Sequence, residues 1–454
     1  MRTLLVITCF AICGWSVTVE ARFVKPSLAP LDRLEKTTTL YLEQHPNDAR
    51  AWYVLGRIHY LSFFNTSLKI PYLGKIIEPP KIPPFWRDTQ SIKDAEYQSE
   101  AVRQVLLNHG HDALSQVPDA DARLFWIDVD LQIRSLKKHR WKAPAPTPEQ
   151  LVQSLVSAEI AFLKAARLDS EKGLYTLGLA SLLEQAESRK DLVLLNHGVD
   201  LSLRRIMELY FQSFEASRDS IESILKKPIS GIKSLVPFEA GNGFLRMCKM
   251  LGEVENDRVK LVSQTIKKLE RLPPSREVTP IIFGRRPGML VDELIDTSNN
   301  VDFDLDGNGT VEAWSWVRPH TAILTWDPLG SGKITSGTQL FGSYTFQIPF
   351  DNGYAALASL DNDQNQMLTL EEMNGIRVWI ERIPNGKVDE HEMHDLRDLG
   401  VDSISTVFQL DEKGVPFSSH GLRFNDGTFL PTWDVSFSTS ELEIQENSPT
   451  SKNP

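Results

Sequence analysis

From Leu31 to about Leu272 the apolar residues return every third or fourth position, which predicts amphipathic helices throughout that stretch. Beyond Val291 the pattern changes to short runs that alternate or are apolar throughout. Trp314 to Val317 and Ala322 to Trp326 are expected as strands, as is the alternating Ser403 to Phe408. Asn425-Asp426-Gly427, between two such runs, is expected as a hairpin turn. One helix is expected in this second half, from Tyr354 to Leu360. The chain therefore reads as an α+β multidomain protein, helical first and mixed second.

Breaks in the first half come from proline. Glu78-Pro79-Pro80-Lys81-Ile82-Pro83-Pro84 and Ala143-Pro144-Ala145-Pro146 interrupt the helices, and Thr147-Pro148-Glu149-Gln150 starts a new one as a capping box with proline at the first helical position. Arg271-Leu272-Pro273-Pro274-Ser275 closes the half. The divisions expected are a helical domain over 28–272, a linker over 273–290, a mixed domain over 291–437 and a polar, disordered tail over 438–454. With such a linker the halves should fold separately, and proteolysis should cut near 271–280.

Two pairs of segments in the helical half resemble tetratricopeptide repeats. In the first, His45-Pro46-Asn47-Asp48 ends a helix, and Trp52, Leu55 and Gly56 pack the next, glycine permitting close approach. In the second, Ala158, Phe162 and Ala165 are followed by Asp169-Ser170 and then Tyr175 and Leu177-Gly178. The resemblance implies a solenoid-like surface for a protein or peptide partner; a scaffold is the alternative.

Charge divides unevenly along the 454 residues. From Val291 onward there are 27 acidic and 9 basic residues, leaving 33 acidic and 40 basic before that point. The acidic half argues against a nucleic-acid partner. At the start, Arg2, the apolar run Leu4 to Cys13 and the small residues of Val19-Glu20-Ala21 read as an export signal over 1–21. That run is too short for a span, and no other segment is long enough. A secreted, periplasmic or envelope location follows. Cys248 alone remains after processing, so no internal disulfide can form, and a buried thiol is expected.

The acidic half carries its chemistry in loops. Taking Asp304 as the first position of a twelve-residue calcium loop puts Asp306 third, Asn308 fifth, Gly309 at the turn, Thr310 seventh through its carbonyl and Glu312 ninth. The closing twelfth position is Ser315, so oxygens are missing there. The more complete loop runs from Asp361 to Glu372, with Asp361, Asp363, Asn365, the Met367 carbonyl, Thr369 and Glu372 as ligands. Its turn position holds Gln366, where positive φ costs a side chain about 1 kcal/mol. Loops starting at Asp327 and Glu381 have the outline but carry Leu329 and Ile383 at the third position. Both are expected to be chiefly structural, their eighth residues Ile334 and Val388 bridging to a partner loop.

These four blocks, FDLDGNGTVEAWSWV, DPLGSGKITSGTQLFG, NGYAALASLDNDQNQMLTLEEM and IRVWIERIPNGKVDEHEM, resemble the EF-hand-like calcium region of exported bacterial proteins of the RTX-associated group. The resemblance implies calcium as cofactor and an extracytoplasmic location, and no reaction. Flanking strands speak against a sensor that opens a groove. A structural envelope protein with vestigial loops is one alternative, and an extracytoplasmic hydrolase another. Against an enzyme, there is no nucleophile elbow, HExxH or phosphate loop, and His391-Glu392-Met393-His394 has the wrong spacing for a zincin. Asn108-His109-Gly110-His111-Asp112 reads as a helix stop, because Asn196-His197-Gly198 repeats it without the second histidine. Asn65-Thr66-Ser67 fits a glycosylation pattern.

Overall fold

The computed structural model describes residues 29–64, 146–189, 199–226, 232–270 and 277–438, apart from 308, 329, 370 and 371. The expected signal, the Asn65 pattern, both histidine segments, most of the proline-rich breaks and the polar tail lie outside the described residues. The first half is helical: α1 (Leu31–Gln44), α2 (Ala49–Phe64), α3 (Pro148–Leu168), α4 (Gly173–Glu187), α5 (Leu203–Ala216), α6 (Arg218–Lys226), α7 (Ile232–Leu251) and α8 (Asp257–Leu269). The second half is built on antiparallel sheet.

Local signals start the helices where the sequence places them. Thr147 caps α3 by accepting from the Gln150 N–H at 3.3 Å, while the Gln150 side chain accepts from the Thr147 N–H at 2.9 Å. That reciprocal pair satisfies two otherwise orphaned donors. Between helices, the Phe162 ring of α3 lies against Gly56 of α2 and Gly178 of α4. A methyl group added at either glycine would approach that ring to 2.6 or 2.8 Å. The absent side chains therefore make the slot that the ring fills, and Tyr53 and Tyr175 close it, with Tyr53 at 5.6 Å from Phe162 and 5.4 Å from Tyr175 between ring centroids.

In the second half, β1 (Glu277–Val278) pairs with β13 (Phe437–Ser438), and β3 (Ile295–Phe303) pairs with β4 (Glu312–Val317). The large sheet contains β2 (Ile281–Phe283), β5 (Thr321–Trp326), β6 (Met367–Leu368), β7 (Ile376–Glu381), β8 (Met393–Asp395), β9 (Val401–Ser405), β10 (Gln409–Leu410), β11 (Pro416–Phe424) and β12 (Phe429–Asp434). Its order is β6-β9-β11-β12-β2-β5-β7-β8, with β10 also on β11. Gly427, at φ +81°, turns the chain between β11 and β12 as the sequence indicates.

Two expectations about organisation are corrected. The segment expected as a linker contains β2, which lies between β12 and β5 in the middle of the sheet, with Ile281 and Ile282 fully buried. A short run apolar on both faces has no period to reveal it, and the flanking prolines hide it further. Nor are the halves independent. One continuous buried core includes Leu34, Phe162 and Phe244 from the helices and Phe341, Leu360 and Leu422 from the sheet half.

Arginines complete that junction. Arg50 and Arg57, two turns apart on α2, donate to the Pro349 and Gln347 carbonyls, the latter at 3.0 Å, and Arg50 also pairs with Asp351 at 3.1 Å. The segment they hold is conformationally costly: Phe346 and Gln347 have φ of +60° and +58°. Each such non-glycine residue costs about 1 kcal/mol, so outside contacts are what keep the turn in place.

A second cost sits in the sheet. Asp434 is 2% exposed, and among the described residues its Oδ1 has no hydrogen-bond partner. Burial pushes its carboxyl up to about 7. Between the ordinary carboxylate value and about 7 the folded chain holds a proton that the unfolded chain has lost, so stability falls as pH rises across that window. Asp434→Asn should accordingly stabilise the protein on the order of 2 kcal/mol at pH 8 and make little difference at pH 4. Urea midpoints at the two pH values check this; equal effects at both would contradict it.

Candidate metal centre

A short helix, α9 (Gly353–Ala358), leads into the loop that begins at Asp361. Asn352 caps it, its side chain accepting from the Ala355 N–H at 2.9 Å, and Leu357 and Leu360 are fully buried. This apolar anchoring fixes where Asp361 leaves the core. The helix is shorter than the sequence pattern indicates, since Leu360 already lies in the turn that follows.

Loop geometry then gathers the acids. Asp361 accepts from the Asn365 N–H at 3.2 Å through Oδ1 and from the Gln366 N–H at 2.8 Å through Oδ2. Glu372 reaches back across the loop, accepting from the Asn362 N–H at 2.7 Å and from the Thr369 N–H at 3.0 Å. As a result Asp361, Asp363 and Glu372 each present an oxygen within 4.8 Å of the others. They are the first, third and twelfth positions of the expected loop. Asn365 joins them by donating to Asp363 Oδ2 at 2.9 Å, and the Thr369 hydroxyl lies 3.3 Å from Glu372 Oε2. Met367 opens β6, its N–H donating to Asn365 Oδ1 at 2.8 Å.

Negative charge is crowded at this cluster. Burial first, and then the neighbouring Glu372 and Asp363 carboxylates, push Asp361 up to about 6, against hydrogen bonding from Gln366 N–H. Three converging carboxylates repel one another unless a proton or a cation intervenes. The backbone also has the form a sharp ligand loop requires, with Gln364 and Gln366 at φ +59° and +69°. Glycine takes the corresponding fourth and sixth positions in the first two loops: Gly307 and Gly309, then Gly330 and Gly332, all at positive φ.

The other loops share this outline, but among the described residues they gather no comparable group of acids. Asp304 accepts from the Gly309 N–H at 3.2 Å, but Asp304, Asp306 and Glu312 form no converging group among the described residues. Glu312 opens β4 opposite Phe303, Thr310 is exposed, and Asn308 lies outside the described residues. Ser315, at the closing position, is committed elsewhere: its hydroxyl accepts from the Ser438 N–H at 3.1 Å. Asp327 is taken up by Ser331 and Gly332 N–H groups at 2.9 and 2.8 Å.

In the fourth loop Glu392 is fully buried and accepts four donors. Arg382 and Ile383 N–H groups bind Oε1 at 2.7 and 3.3 Å, and Trp379 Nε1 and Asp389 N–H bind Oε2 at 3.2 and 3.0 Å. Its lone pairs are therefore already committed to the protein. Burial raises the equally buried Glu381 to about 7. The expected pairing through eighth residues is corrected too. Leu368 of the third loop pairs with Ile404 of β9, not with Val388, and the first two loops meet through a parallel bridge at Asp304 and Ser336. Register in the sheet, set by the buried faces of β6 and β9, overrides loop-to-loop pairing.

Sequence reasoning missed the outward side of the third loop. Asn362 and Gln364 alternate with the acidic positions and meet α1: Arg33 Nε donates to Asn362 Oδ1 at 3.2 Å, and Gln44 donates to Gln364 Oε1 at 3.1 Å. Period-two alternation of acidic with amide residues was the available signal, but it does not name the partner.

The fold and site thus define a protein with a helical first half and an antiparallel-sheet second half in which, among the described residues, one cluster of acids could hold a metal ion. Residues 292–438, which include all four loops, match the family model of the SPM domain. Over 112 residues the chain is 30% identical to the iron-regulated protein FrpA of Neisseria meningitidis serogroup C, a stretch that makes up 24% of this chain and 10% of that protein. The chain therefore covers only a small part of that relative's length. Among the described residues no helix is long and apolar enough to cross a membrane.

Proposed function

We propose that the chain is an exported calcium-binding protein whose sheet half is ordered by calcium at the loop Asp361–Glu372 and whose helical half binds a protein or peptide. The observation that carries this reading is the convergence of Asp361, Asp363 and Glu372 within 4.8 Å. All-oxygen donors favour a hard cation over zinc or copper, and a loop with amide and hydroxyl neighbours suits the larger, more flexible calcium shell. Asp361, Asp363, Asn365, Thr369 and Glu372 would hold the ion, with the Met367 carbonyl. Its role is structural: bound cation offsets the mutual repulsion of the carboxylates, so the folded state gains what the ion gains by binding.

The export pattern at the start and the resemblance of the loop blocks to exported proteins support the location. With a non-glycine turn at Gln366 the affinity expected is that of extracellular modules, about 10⁻⁴ to 10⁻³ M. The partner surface must lie away from the face of α1 and α2 that Arg33, Arg50 and Arg57 commit to the sheet half. A largely structural role for the remaining loops is favoured by the four donors on Glu392.

Calcium at ten times its dissociation constant should stabilise the whole chain by about 1.4 kcal/mol. A single cooperative transition moving to higher temperature on adding calcium, and returning on chelation, is the expected calorimetric result. An unchanged transition at 10 mM calcium would sink the calcium reading.

A further inference from the structure

The loop between Leu360 and Glu372 has two faces. Its first and third residues, Asp361 and Asp363, carry oxygens that converge with those of Glu372, while its second and fourth, Asn362 and Gln364, face helix α1. On that helix Arg33, Thr37 and Gln44 stand four and seven residues apart, which places them on one stripe. Arg33 is 4% exposed, donates through Nη2 to the Leu360 carbonyl and through Nε to Asn362 Oδ1 at 3.2 Å. Thr37 Oγ1 lies 3.4 Å from the same Asn362 oxygen, and Gln44 reaches Gln364 at 3.1 Å. The residues that would bind the ion and those that seat the helix are thus interleaved on a single five-residue backbone segment.

Resting on the calcium reading above, we propose that ion binding in this loop and the seating of α1 are energetically coupled, so that calcium locks the first helix of the chain onto the sheet half. The reason is the alternation itself. The backbone conformation that brings Asp361 and Asp363 together with Glu372 is the one that sends Asn362 and Gln364 outward to Arg33, Thr37 and Gln44. Whichever event comes first orders the segment for the other, and the second event avoids that entropic cost. The charge of Arg33 acts in the opposite sense, because a bound cation lessens the attraction between guanidinium and carboxylates. The links from Thr37 and Gln44 carry no charge, and the Arg33 hydrogen bonds to Leu360 and Asn362 go to a carbonyl and an amide oxygen. Ordering therefore sets the sign, and the coupling is positive. By reciprocity, loosening the helix must weaken the ion by the same factor.

Hydrogen exchange on the full chain, with and without calcium, tests this. At a calcium concentration ten times the dissociation constant, amides of Leu31–Gln44 should exchange about tenfold more slowly. In Asn362→Ala, which removes no ion ligand and no charge, that gain in α1 should disappear and calcium affinity should fall about fivefold or more. Thr37→Val serves as a second, milder variant should Asn362→Ala not fold. Calcium that slows exchange in the loop 361–372 but leaves α1 unchanged would overturn the coupling while keeping the calcium reading. Calcium that slows exchange nowhere would overturn both.

Discussion

Glu372→Gln should weaken calcium binding by about 100-fold or more, beyond the 10–100-fold usual for residues that only support a ligand. Glu372 brings a full negative charge to the centre, and its two oxygens also brace the loop through the Asn362 and Thr369 N–H groups. An amide in its place keeps one acceptor but aims an NH₂ group either at the ion or at a backbone donor. Whichever way it turns, a contact is lost. The fold should survive, since the change removes one of three repelling carboxylates and the metal-free protein should be no less stable than its parent. Titration of the variant beside the parent checks both halves of this expectation, and parent-like affinity would mean that the loop register is wrong.

The second large effect concerns packing far from the loop. Phe162→Ala should cost about 3–5 kcal/mol, at the upper end for a buried aromatic, because the cavity has little with which to refill itself. Gly56 and Gly178 have no side chains to move inward, and Tyr53 and Tyr175 are already buried against other residues. Because the core runs without interruption from Phe162 to Phe341 and Leu422, the loss should lower the denaturation midpoint of the whole chain. Two transitions, with only the first displaced, would show that the halves separate after all.

What the sequence made legible follows from whether the interaction leaves a local pattern. The slot at Gly56 and Gly178 could be read from small and aromatic residues at helical spacing, and the capping box at Thr147 from residues three apart. The convergence of acids was readable for the same reason: Asp361, Asp363 and Glu372 belong to one loop with fixed spacing. In the first loop Ser315, at the closing position, is drawn off by the Ser438 backbone, a contact across the chain that no spacing encodes. Strand β2 was hidden because three buried residues have no measurable period. Arg33, Arg50 and Arg57 were hidden because each donates to a backbone carbonyl, and every residue offers one. The junction between halves, and with it the link from α1 to the loop, is consequently visible only in three dimensions.

Calcium titration calorimetry on the full parent chain bears most directly on the central claim. One dominant site per chain, with a dissociation constant of about 10⁻⁴ to 10⁻³ M and weaker binding at pH 5 as protons compete at Asp361, is the result expected from a single convergent set of carboxylates. No binding at 10 mM calcium, or several equivalent sites, would contradict it.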